Sequence, residues 1–166
     1  IILSLIFALA IALSVSVPTL AASSDTGTTV ISGTLGAHID ITANTSTLNL
    51  GTLIPDQRVT TTTNGSVSVK CNKAGWSLTV QENGVGADQK MAITAGDIAD
   101  NELQVLGGDI SSWTDIGPSA QLETSGAKYA GSDTVINNIQ FGQTANYNDD
   151  PGTYTITVLF TASVTP

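Results

Sequence analysis

The chain has 166 residues and a mass of 17.0 kDa, with 14 Asp and Glu against 5 Lys and Arg, giving a net charge of −9 and a pI near 4.1. That length supplies one domain and a short extra segment but no second core, and the charge repels nucleic acid and anionic membranes. Charged residues are only 11% of the chain, and the polar remainder is Thr, Ser, Asn, Gln and Gly, a composition that favours pleated strands and tight turns over helices.

Residues 1–21, IILSLIFALAIALSVSVPTLA, carry no charge. The apolar run ends at Pro18, and Thr19 and Ala21 suit the −3 and −1 positions of a signal-peptidase site, so we expect a signal peptide over 1–21. Ser14, Ser16 and Pro18 interrupt the run and argue against a retained anchor, which needs about 20 apolar residues. The mature chain is then 22–166, with no membrane contact after cleavage. It opens on the alternating TTVISG, an N-terminal strand or arm about 26–34. Such a segment suits donation to the sheet edge of a neighbouring subunit.

Alternating runs separated by turn residues follow. LGAHIDIT puts Leu35, Ala37, Ile39 and Ile41 on one face of an expected strand, with His38 and Asp40 on the other. TLNLGTL repeats the alternation at Leu48 and Leu50 until Pro55 and Asp56 break it. NGSVSVKC then aligns Val67, Val69 and Cys71. The chain has one cysteine, which has no second thiol to pair with and is expected buried and inert. In GWSLTV, Trp76, Leu78 and Val80 share a face. QENGVGADQ reads as a loop and MAIT as a short strand, while residues 95–132 are rich in Gly, Asp and Ser and read as short strands or an excursion.

The ending DDPGTYTITVLFTASVTP has the clearest pattern. Tyr154, Ile156, Val158, Phe160, Ala162 and Val164 alternate with Thr, Leu and Ser, which predicts a long strand in the middle of an antiparallel sheet packed on a second sheet. The fold class expected is all-β, an antiparallel immunoglobulin-like β-sandwich preceded by the signal peptide.

Gly75-Trp76-Ser77-Leu78 resembles the first Trp-x-Leu motif of the WxL domain of Gram-positive cell-surface proteins. Gly152 through Pro166 resembles the C-terminal end of that family. Tyr154 and Pro166 fall in register with it, Phe160 stands where the second Trp would be, and Ala162 where the Leu would be. LNLGTLIPDQR is similar to the strand and Asp-Arg turn upstream of the first motif, so the resemblance spans about Leu48 to Pro166. It implies a secreted, non-enzymatic domain held noncovalently at the cell wall, with peptidoglycan or another wall polymer as partner. Related pilin-like sandwiches share the ending, which keeps a filament subunit, partnered by other surface subunits, as the alternative.

The chemistry-bearing residues are few. A hydrolytic triad would have to use His38, the only His, which lies on a polar strand face beside Asp40, so no catalytic residue is expected. One His and one Cys far apart make no zinc site. Asn146, Asn148, Asp149 and Asp150 concentrate oxygen ligands in a loop that could hold calcium, though their spacing matches no EF-hand and turn chemistry before Pro151 accounts for the same residues. No cofactor is implied. Phase with Leu78 and Val80 places Trp76 in the core, whereas Trp113, in DISSWTDIG, is the candidate for stacking on a sugar. That stacking would make the chain a carbohydrate-binding module.

Overall fold

The computed structural model describes residues 30–83, 88–93 and 96–164. Contacts divide the chain into residues 1–34 and the unit Leu35–Pro166. Residues 1–29, which contain the expected signal peptide, lie outside the described residues. Residues 30–34 form no strand, and Val30 and Ile31 are each 93% exposed.

Leu35–Pro166 is all-β, with no helix among the described residues. One sheet is built on β1 (Ile39–Ala43), β2 (Arg58–Thr60) and β3 (Gly65–Cys71). The opposing sheet is centred on β4 (Trp76–Glu82), after which β5 (Lys90–Ala92) and β6 (Ile98–Glu102) form a hairpin. The chain then returns to the first sheet with β7 (Gln104–Gly107) and β8 (Ile110–Asp115), crosses to β9 (Ala120–Gly126), runs through the long β10 (Thr134–Thr144) and ends on β11 (Val158–Ser163). The first sheet has the order β1-β3-β10-β7-β8, with β2 also on β10, and the second is β11-β4-β9. All pairings are antiparallel. Two amphipathic sheets can bury their apolar faces only against each other, which gives a sandwich-like arrangement.

The shared core follows the period-2 pattern. Val67, Val69 and Cys71 of β3 face Trp76, Leu78 and Val80 of β4, joined by Val105, Leu122, Ile136, Ile139 and Phe141. Each fully buried Val, Leu or Ile contributes about 1.5–3 kcal/mol from apolar burial alone.

Three expectations need correction. The closing strand is shorter than the alternation suggests and is not central. β11 begins at Val158, pairs only with β4 and is a sheet edge. Residues before it leave the sheet, because Thr155 forms a two-way bridge with Ala92, with N···O distances of 2.9 and 3.0 Å. Alternation specifies two faces and carries no information about how many neighbours a strand has. The segment around Leu48 and Leu50 is not a strand, although both side chains are half-buried against the core. The first strand starts at Ile39, and Leu35 is 85% exposed.

The central strand of the first sheet is β10, which the sequence pattern hides. Its inward residues are Ile136, then Ile139, Phe141 and Gln143, so the phase slips at Asn137 and Asn138. The slip is a β-bulge in the pairing with β3, with Asn138 at φ 59°. Asn tolerates this left-handed conformation better than most residues. Gly107 receives the bulge, since a Cβ there would lie 2.7 Å from the Asn138 carbonyl oxygen.

Candidate functional site

Trp76 is fully buried. Its indole N–H donates to the Ala127 carbonyl oxygen at 2.8 Å, and its ring lies so close to Gly126 that a Cβ there would come within 1.9 Å of Cε2. Gly75, at φ 80°, closes the turn before it and donates its backbone N–H to Gly126 at 2.9 Å. Trp76 is thus a core anchor whose one polar group is satisfied within the fold. The two segments that carry the WxL resemblance lie on adjacent strands. Phe160 is opposite Val80, Ala162 opposite Leu78, and the Ser77 and Ser163 hydroxyls are 2.9 Å apart. Phe160 is half-buried on the inner face, and Pro166 is outside the described residues.

Tyr154 is half-buried, and its hydroxyl donates to the Asp97 carboxylate beneath the β5–β6 hairpin, within 2.9 Å of the Asp150 carbonyl oxygen as well. This hydroxyl, with the Asp150 backbone N–H, holds the Asp97 carboxyl below its ordinary value of 3.8. Desolvation and the Asp97 charge push the Tyr154 phenol above its ordinary range.

The Asn146–Asp150 loop spends its polar groups on itself. Asp149 accepts from the Asp100 and Asn146 backbone N–H groups, both at 2.9 Å, and the amides of Asn146 and Asn148 turn their N–H groups to Asp100. A cation site needs oxygens converging on one point, and here amide donors occupy the space before the carboxylate. Among the described residues no group of three or more His, Cys, Asp or Glu is placed to hold a metal ion. His38 is on the exposed face of the sheet edge, 3.1 Å from Asp40.

The arrangement best suited to a ligand lies on the outer face of the first sheet, around Trp113. The indole is half-buried and packs across β10 at Gly142, where a Cβ would meet Cζ3 at 3.0 Å. The Arg58 guanidinium sits over the ring, 5.2 Å from its centroid. Arg58 Nε–H then donates to Gln104 Oε1 at 2.9 Å, and Gln104 Nε2–H donates to Asp115 Oδ1 at 2.8 Å. The cation–π contact and the two hydrogen bonds hold three planar side chains in a fixed row. Arg58, Gln104 and Asp115 line a polar groove of about 470 Å³ together with Lys90, Asp100, Asn101 and Glu102 of the hairpin and Thr144 of β10.

At this site the sequence pattern picks out Trp113 and none of the row beside it. Arg58 stands two residues after the Pro55-Asp56 break, and a cation in so acidic a chain is a usable signal. Gln104 and Asp115 sit in the stretch whose strands were not assigned, so nothing in their spacing could bring them together. A comparison of the chain with protein-family models and with curated proteins found no match.

Proposed function

We propose that this chain is an exported, non-catalytic cell-surface domain, an immunoglobulin-like sandwich of WxL-like type, that binds cell-wall glycan noncovalently and serves structure or adhesion. The observation that carries this reading is the Arg58–Gln104–Asp115 row beside Trp113. Sugars offer hydroxyls in the ring plane and apolar C–H faces. Planar Arg, Gln and Asp groups match the first, and the half-buried Trp113 beside them offers apolar surface for the second. The row is pre-organised by its own hydrogen bonds, so little side-chain entropy is lost on binding. The cross-strand contact of the two WxL-like segments supports the family resemblance, with their aromatic residues serving the core.

Co-sedimentation with insoluble peptidoglycan tests the reading. Wild type is expected to bind saturably, and Trp113→Ala or Gln104→Ala to weaken binding on the order of tenfold, about 1.4 kcal/mol. Trp76→Phe should bind as wild type does, once near-UV circular dichroism shows that it is folded. Recovery of folded wild type no greater than that of an unrelated acidic sandwich overturns the proposal.

One observation favours the filament subunit as a second reading. Val30 and Ile31 are almost fully exposed in an uncharged segment, as a strand awaiting a partner edge would be. Fibres visible by electron microscopy that vanish when residues 22–34 are deleted would establish it.

A further inference from the structure

We propose a second binding site, independent of the groove beside Trp113, that takes a carboxylate- or phosphate-bearing oligosaccharide at the opposite end of β10. Four of the five lysines and arginines of this chain fall into two grooves. Arg58 and Lys90 line the groove already described. Lys70 and Lys128 converge from β3 and from the segment after β9 on another groove, about 600 Å³ in volume, lined also by Leu35, His38, Asp40, Asn72 and Tyr129.

The ammonium group of Lys70 lies over the Tyr129 ring, 4.8 Å from its centroid. Neither Lys70 nor Lys128 is within ion-pair distance of a carboxylate: Asp40, the one carboxylate lining the groove and the cross-strand partner of Lys70, instead lies 3.1 Å from His38. The half-buried Tyr129 and the exposed Leu35 supply apolar surface beside these cations. A ligand suited to this groove has an anionic group next to a ring face, and a volume of this size admits a few sugar units. Lysines are point charges without a bidentate fork, so carboxylate and phosphate are equally acceptable.

The net charge of −9 opposes any anion, but distance decides the balance. Asp97, Asp100, Asp149 and Asp150 lie beyond the C-terminal end of β10, while Lys70 and Tyr129 lie at its start. Eleven residues of strand separate them by roughly 35 Å, several times the Debye length of about 8 Å at physiological ionic strength. Within the groove two lysines face one carboxylate, Asp40, which His38 already engages, so the lysines govern a short ligand. A second copy of this chain is a poorer occupant, because Asp97, Asp100 and Asp149 at its acidic end already accept internal hydrogen bonds.

Isothermal titration at 0.15 M salt with trigalacturonate, maltotriose 1-phosphate and maltotriose tests the site. We expect binding of one or both anions, none of the neutral trisaccharide, and at least tenfold weaker binding by folded Lys70→Gln/Lys128→Gln. Which anion binds identifies the source of the negative group. Trp113→Ala should bind these anions as wild type does, so loss of peptidoglycan binding and loss of anion binding are separable. Silence toward both anions, equal binding by the double variant, or loss in Trp113→Ala overturns the proposal. So does self-association in analytical ultracentrifugation that the double variant abolishes, since it would make the occupant a second copy.

Discussion

Two buried contacts at Trp76 set its sensitivity to substitution. Trp76→Phe leaves the Ala127 carbonyl without its donor, and an unsatisfied buried acceptor together with lost volume costs about 1–3 kcal/mol. Gly126→Ala is the harsher change, because the new methyl would overlap the indole at 1.9 Å and either the ring or β9 must move. Overpacking of that severity costs at least about 3 kcal/mol, so urea denaturation should place Gly126→Ala well below Trp76→Phe in midpoint. At Tyr154 the expected effect depends on pH. The folded Asp97 carboxyl sits below 3.8, so its contribution is complete above the unfolded value and is lost as pH falls through the lower folded one. Tyr154→Phe removes the main cause of that shift. The gap in thermal midpoint between wild type and Tyr154→Phe should be widest above pH 5 and should narrow below 3.8.

At the scale of elements, the β10 bulge explains both what could be read from the sequence and what could not. β3 and β4 keep strict alternation, and their inner faces were legible to the residue, Trp76 and Cys71 included. β10 breaks phase at Asn138, so no run of alternating residues announces it, although it is the longest strand described. Without β10 and β7, the row from Arg58 to Asp115 could not be foreseen, because its members meet only through neighbouring strands. Trp113 was legible as an aromatic among polar neighbours, but its seat on Gly142 was not. The bulge is testable in its own right. Asn138→Val forces a β-branched residue to positive φ and should cost about 1–2 kcal/mol more than Asn138→Gly. Both variants lose the bond from Asn64, so the difference in denaturation free energy isolates the backbone.

At the scale of the molecule, charge is sorted along the sandwich. Lys70 and Lys128 outnumber Asp40 in the groove where β10 starts, and acidic loops gather where it ends. Such a distribution orients the protein in the field of a charged surface even when the net charge repels it. A wall that presents both sugar hydroxyls and scattered anions would then be gripped by two faces at once. Linked weak sites of this kind raise overall affinity without new contacts, provided both are engaged together. Removing either groove should therefore lower retention on intact walls by more than it lowers affinity for the matching isolated ligand.

Cys71 is the one thiol of the chain, 2% exposed, in register with Ile39 of the outermost strand. A reagent can reach its sulfur only when that flank comes away from the body of the protein. Labelling by a thiol-specific disulfide under native conditions would therefore act as a clock for such excursions. Rates far above that of global unfolding would mean that β1 peels off alone.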